Sequence, residues 1–286
     1  MPYENLWLET DRGNTIHGWW IPGPADIPSP VDGRPTWVYL HGSGGNISGR
    51  LDGYRAIHQR FGANILAVDY SGFGRSHGTP SKDDTYSDGY AAVAEAIRRH
   101  QSQDAKPGAV VYLGVSMGAA VAARVAVDRR PDALLLESPP TSFTELAPIQ
   151  YPWTRVLPLS KLMRFRYETT RHLTMLNVPT LVIHGDADKI VPLRFARSVY
   201  AAANDPKEMY VVRGGTHDRP DFVDPDSYYD VVARFIEKHR SRAWDEGPGH
   251  LAADLKRPSG ACGWHENPGD STAHDAAQDT APLRVA

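Results

Sequence analysis

The chain has 286 residues, 31 Lys plus Arg against 34 Asp plus Glu, a formal net charge of −3 and 41% hydrophobic residues. This is the balance of an ordinary soluble globular protein, and nothing in it suggests nucleic acid or an anionic membrane as partner. A single cysteine, Cys262, excludes an internal disulfide framework and a four-cysteine zinc site, and no uncharged apolar run reaches the ~18 residues of a membrane span. The stretch Met1-Pro2-Tyr3-Glu4-Asn5-Leu6-Trp7 lacks the basic-then-apolar layout of a secretory signal, so a cytoplasmic protein is expected.

Two short β-type runs, Glu4 to Thr10 and Thr15 to Ile21, flank Asp11-Arg12-Gly13-Asn14 and predict a hairpin. Residues 22–35 hold five prolines and two glycines and read as a surface loop. Thr36 to Leu40 is a buried strand running into His41-Gly42-Ser43-Gly44-Gly45-Asn46. Leu51 to Phe61 reads as a helix, and Ile65 to Val68 as a strand ending at Asp69 to Ser76. Ser87 to His100 carries Tyr90, Val93, Ala94 and Ile97 at helical spacing. Ala109 to Leu113 is a strand and Ala119 to Val127 a helix, followed by a strand at Ala133 to Leu136 that ends at Glu137. Thr180 to Ile183 is a strand entering His184-Gly185-Asp186-Ala187-Asp188. A helix (Leu193 to Ala203), a strand (Glu208 to Val212) and a last helix (Asp226 to His239) follow.

Alternating strands and helices, with most strands continuously apolar, predict a mostly parallel sheet covered by helices on both faces, with the hairpin as antiparallel strands at one edge. Residues 139–177 interrupt the alternation, with Phe143, Tyr151, Trp153, Phe165 and Tyr167 among prolines and basic residues. They predict a small helical insert within a domain covering residues 1–240. Residues 243–286 are rich in Gly, Ala, Asp and Pro without periodicity and read as a disordered tail. Cys262, His265 and His274 within it lack the paired spacing of metal ligands, so no metal is expected.

In an open parallel sheet, functional groups gather in loops beyond the carboxyl ends of strands. Gly114-Val115-Ser116-Met117-Gly118 lies between a strand and a helix, so Ser116 is expected on a sharp turn with its hydroxyl presented at a helix start. Asp188 follows a later strand and His217 the last one, in the chain order Ser, Asp, His. Asp186 and Glu137 compete with Asp188 for the acidic position. His217 is singled out from the 12 histidines by its place in the loop after the last strand. Asp218 and Asp221 stand near it, charge that is ordinary for a solvated loop and that could raise its basicity.

These motifs, with Asp69-x-x-Gly72-x-Gly74-x-Ser76, Glu137-Ser138-Pro139, His184-Gly185-x-x-Asp188-x-x-Val191-Pro192 and Gly214-Gly215-x-His217, resemble those of the α/β-hydrolase superfamily. The likeness covers residues 1–240 and is greatest to its compact serine-hydrolase branch with a small cap. The resemblance implies an eight-stranded sheet and an esterase or thioesterase working through an acyl-enzyme on Ser116, with His217 as base and Asp188 as its partner. It assigns the oxyanion donors to the backbone N–H groups of Ser43 and Met117, with Gly44 as an alternative to Ser43. His41 is expected as a structural partner beneath that loop, Asp69 to Ser76 as a tight turn without direct chemistry, and the aromatics of 139–177 as a cap over an acyl pocket. No cofactor is implied, and the expected partner is a small-molecule or lipid-like acyl substrate. A catalytically idle binding member of the fold and a serine peptidase are the alternatives.

Overall fold

The computed structural model describes residues 1–27, 29, 33–102 and 106–244. The hairpin forms as its turn chemistry predicts. β1 (Glu4–Glu9) pairs antiparallel with β2 (Thr15–Ile21), and Gly13 between them takes φ +80°, a conformation glycine reaches without steric cost. β2 lies antiparallel to β4 (Asn64–Val68), which is parallel to β3 (Arg34–Leu40). Every later pairing is parallel: β3 with β5 (Pro107–Val115), β5 with β6 (Ala133–Glu137), β6 with β7 (Thr180–Gly185) and β7 with β8 (Lys207–Val212). The eight strands are ordered β1-β2-β4-β3-β5-β6-β7-β8.

The sheet separates two apolar layers, and the period-2 alternation of each strand decides which layer a side chain joins. Along β5, Val110 and Tyr112 face one layer, while Ala109, Val111, Leu113 and Val115 face the other. The first layer is filled by α2 (Lys82–Gln101), α3 (Met117–Asp128) and α7 (Leu193–Ala202), and the second by α1 (Leu51–Phe61) and α8 (Pro225–Trp244). Helix α2 starts five residues before the expected Ser87. Ser81 caps it, its Oγ accepting the Asp84 N–H at 3.0 Å, and Asp83 and Asp84 sit at the positive end of the helix. That first turn is polar, so apolar spacing alone passes over it.

The interruption at 139–177 is helical, but in short pieces: α4 (Phe143–Gln150), a 3₁₀ turn (Pro152–Val156), α5 (Leu159–Leu162) and α6 (Thr169–Leu173). Pro148, Pro152 and Pro158 remove backbone donors and stop longer helices from forming. The excursion closes on itself where the Phe143 N–H donates to the Arg166 carbonyl at 2.7 Å. Phe143 and Tyr167 pack at its root, 4.8 Å between ring centroids, and Tyr167 also meets Tyr86 of α2. The other three aromatics expected over a pocket stand apart from these two. Tyr151, Trp153 and Phe165 are exposed, because the proline-broken turns give them no continuous face to bury.

Helix α8 runs through Trp244, two residues into the stretch read as a tail. The remainder of that stretch, with Cys262, His265 and His274, lies outside the described residues, as do positions 28 and 30–32 of the proline-rich loop. Among the described residues no helix is long and apolar enough to cross a membrane.

Candidate active site

Ser116 sits between β5 and α3 at φ 54°, ψ −115°, a backbone conformation that a side-chain-bearing residue adopts at a cost of about 1–3 kcal/mol. Its neighbours hold it there. The Ser116 N–H donates to the Glu137 carbonyl at 2.8 Å, and the Ser116 carbonyl accepts the Ala119 N–H at 3.0 Å. The flanking glycines follow from the crossing of backbones. A Cβ on Gly114 would lie 2.4 Å from the Gly118 carbonyl oxygen, and one on Gly118 would lie 1.9 Å from that of Leu40. The Gly-x-Ser-x-Gly spacing is thus the condition for strand, turn and helix to meet this closely.

A second glycine contact brings the loops after β7 and β8 together. A Cβ on Gly185 would lie 2.1 Å from the Gly215 carbonyl oxygen, and the Ala187 N–H donates to that same oxygen at 3.0 Å. The crossing places Asp188 beside His217. Asp188 Oδ2 is 2.8 Å from His217 Nδ1, and His217 Nε2 is 3.0 Å from Ser116 Oγ. Ser116 and His217 are 101 positions apart in the chain. In the tautomer this network favours, Nδ1–H donates to Asp188 and Nε2 accepts the Ser116 hydroxyl proton.

Asp188 is buried and heavily bonded. Its Oδ1 accepts the N–H groups of Ile190 and Val191, each at 2.8 Å. Burial opposes its ionisation, but hydrogen bonds from His184, His217 and the Val191 N–H outweigh burial and hold the carboxyl well below the usual carboxylate range. His184 is the partner that sequence reasoning missed. Fully buried at the end of β7, its Nε2 lies 2.7 Å from the Val191 carbonyl and 3.2 Å from Asp188 Oδ2. The signal was present as the first residue of His184-Gly185-x-x-Asp188, where it reads only as part of a motif.

The competing carboxylates lie elsewhere. Asp186 is exposed, and its Oδ1 accepts the Gly214 N–H at 2.6 Å, a cap on the turn that leads to His217. Glu137 alternates with Leu134 and Leu136 along β6, so it faces the α1/α8 layer. It is buried there, with the Tyr228 hydroxyl of α8 donating to its Oε2, and burial pushes its carboxyl up to about 7. Asp221 is bonded to other groups. It makes a two-point pair with Arg219, at 2.8 and 2.9 Å, and accepts the Tyr229 hydroxyl at 3.2 Å.

The loop after β3 passes directly by the serine, a Cβ on Gly42 falling 3.3 Å from Ser116 Cβ. Ser43, one residue on, is exposed, and Met117 opens α3, where its N–H has no acceptor within the helix. His41 is fully buried beneath this loop, its Nδ1 2.6 Å from the Gly42 carbonyl and its ring tilted against that of Tyr70 with centroids 4.6 Å apart; burial pushes it down to about 4. Asp69 fixes the loop from below by accepting the Ile47 N–H at 2.8 Å. Gly74 at φ +50° leaves room for the Asp69 carboxylate, since a Cβ there would lie 1.9 Å from Asp69 Oδ2. The turn from Asp69 to Ser76 is therefore scaffold for the loop that faces Ser116.

Known proteins resemble this chain in sequence and in fold. An uncharacterized protein of Mycobacterium tuberculosis is 35% identical over 231 residues, covering 80% of this chain and 77% of its own. The alpha/beta hydrolase domain-containing protein WAV2 of Arabidopsis thaliana is 28% identical over 263 residues, covering 86% and 82%. Among solved structures, an esterase of Pyrococcus furiosus superposes with a TM-score of 0.67 at 21% identity, over 83% of this chain and 91% of that one, a likeness of fold. The model of the alpha/beta hydrolase family matches residues 37–258, a span that opens in β3 and includes Ser116, Asp188 and His217. With the sheet order, the serine turn between β5 and α3 and that match in agreement, the chain belongs to the α/β-hydrolase family.

Proposed function

We propose that this protein is a serine hydrolase that cleaves carboxylic esters or thioesters through an acyl-enzyme on Ser116. The observation that carries the reading is the continuous chain of hydrogen bonds from Ser116 Oγ through His217 to Asp188, at 3.0 and 2.8 Å. A serine hydroxyl is a poor nucleophile until a base takes its proton during attack. His217 Nε2 is placed for that. As Oγ bonds to the acyl carbon, the proton passes to His217, and the carbonyl electrons form an oxyanion received by the N–H groups of Met117 and Ser43. Collapse of the tetrahedral species breaks the acyl–oxygen or acyl–sulfur bond, and the leaving group departs with the proton from His217. Water repeats the sequence to release the acid and free Ser116. Asp188, held as a carboxylate, fixes the imidazole tautomer and stabilises the imidazolium. Residues 1–240 form the hydrolase domain in this reading, and the 139–177 insert, rooted on Phe143 and Tyr167, is a small cap beside it.

Ser116→Ala is expected to lower kcat toward short p-nitrophenyl esters by about 10⁶, by analogy with other enzymes of this triad. A fluorophosphonate probe is expected to add its mass to Ser116 in the parent and to leave the variant unlabelled. Equal ester turnover by parent and variant, or a parent inert to the probe, would refute the reading and leave a binding role.

A further inference from the structure

The sixteen residues from Tyr151 to Arg166 combine positive charge with exposed apolar side chains. They carry four cations, Arg155, Lys161, Arg164 and Arg166, and no carboxylate, in a chain whose net charge is −3. Among the described residues, none of the four pairs with a carboxylate from another element. Interleaved with them are large apolar side chains in water: Val156 is 88% exposed, Trp153 70%, Leu162 60% and Tyr151 53%. Scattered exposed apolar residues are normal, but a cluster of this kind on one short excursion marks a contact surface.

We infer that the outer surface of the 151–166 excursion docks on an anionic phospholipid bilayer. Two features select a lipid interface over a protein partner. Tryptophan and tyrosine beside aliphatic side chains suit the boundary between headgroups and acyl chains, where one end of the ring is dry and the other wet. Unpaired Arg and Lys heads on flexible stems reach headgroup phosphates without a matching rigid surface, each adding attraction to an anionic leaflet. The excursion is also tied to the catalytic side of the molecule. The Gln150 side-chain amide, one residue before Tyr151, donates to the Ile190 carbonyl in the loop that follows Asp188. The excursion therefore begins beside the loop that carries Asp188. The docking does not depend on turnover, so Ser116→Ala binds as the parent does, and loss of activity and loss of binding are separately readable.

The test is co-sedimentation of the full chain with vesicles of phosphatidylcholine containing 30% phosphatidylserine, beside vesicles of phosphatidylcholine alone. Binding to the anionic vesicles is expected, at least about tenfold tighter than to the neutral ones and weakening as salt is raised. The triple variant Lys161→Glu/Arg164→Glu/Arg166→Glu and the double variant Val156→Asp/Leu162→Asp are each expected to lose at least about tenfold in affinity, with their melting curves confirming that they fold. Failure of the parent to sediment with anionic vesicles at low salt overturns the inference, as does binding that neither variant weakens. Light scattering that shows a dimer dissolved by Val156→Asp also overturns it, since the surface would then be covered by a second copy.

Discussion

Two stretches rich in unusual residues, Gly114 to Gly118 and Tyr151 to Arg166, obey opposite rules. In the first every atom is constrained. Strand, turn and helix backbones approach so closely that two positions admit no Cβ, and Ser116 is held at positive φ by the carbonyl of Glu137 and by its own helix. In the second, two short turns set aromatic and aliphatic side chains into solvent. Proximity to the same loop does not make two regions alike. The serine turn is a place where structure is strained in order to position an atom. The excursion is a place where structure is left incomplete, and its remaining surface is available to something outside the chain.

The contrast is broken most severely by removing the acid that fixes His217. Asp188→Asn is expected to lower kcat by about 10⁴, because an amide at this position favours the wrong imidazole tautomer and carries no charge to stabilise the imidazolium. Asp186→Asn keeps an acceptor for the Gly214 N–H and is expected to leave kcat near that of the parent. Steady-state kinetics on a soluble ester separates them. If Asp186→Asn proves the more damaging of the two, the assignment of the acid is wrong.

That assignment shows where the sequence is readable and where it stops. The elbow can be read because steric exclusion leaves a signature in residue type: two glycines two residues either side of a serine, between a strand and a helix. The sheet and its order of loops follow from apolar runs whose length and spacing are tertiary facts written locally. Its place in His184-Gly185-x-x-Asp188 favours Asp188 over Asp186 and Glu137, but the physical reason needs three-dimensional register. Glu137 is excluded because alternation along β6 turns it toward Tyr228, and Asp186 because it is spent on Gly214. His184 is missed for the same reason, its role depending on a turn that brings Asp188 back over the strand end. The excursion shows a different limit. Pro152 and Pro158 deny its aromatic residues a continuous face, so of the five singled out Phe143 and Tyr167 pack on each other while Tyr151, Trp153 and Phe165 are exposed, an outcome that residue type alone does not display.

A milder change sharpens the rigid side. Glu137 supports Ser116 through its backbone carbonyl, while its carboxyl lies buried under Tyr228. Burial lifts that carboxyl from 4.5 in the free group to about 7. Between those values the native chain holds a proton that the unfolded chain has released, so the native state binds more protons and stability falls as pH rises through the window. The loss amounts to about 3 kcal/mol, at about 1.4 kcal/mol per pH unit. Glu137→Gln keeps an acceptor for Tyr228 and has no proton to lose. Urea unfolding at pH 5 and pH 7.5 is expected to show the variant gaining on the parent by on the order of 2–3 kcal/mol as pH rises. Parallel curves would mean that the carboxyl is solvated in the folded protein, and that the layer beneath the elbow is less closed than its contacts indicate.

The smallest expected effect tests the open side. Val156 is 88% exposed and Leu162 60%, so truncating either removes little surface that folding had taken from water. Val156→Ser and Leu162→Ser should each shift the free energy of unfolding by less than about 0.5 kcal/mol, as surface changes away from caps and cores do. A buried aliphatic residue of similar size costs roughly 2–5 kcal/mol when cut back to alanine, so the two outcomes are well separated by a denaturant midpoint. A near-zero value means that these side chains contribute nothing to the fold, and that whatever keeps them apolar acts through contacts made after folding. A large loss would place them in a packed core, and the excursion would then join the elbow as part of the rigid frame.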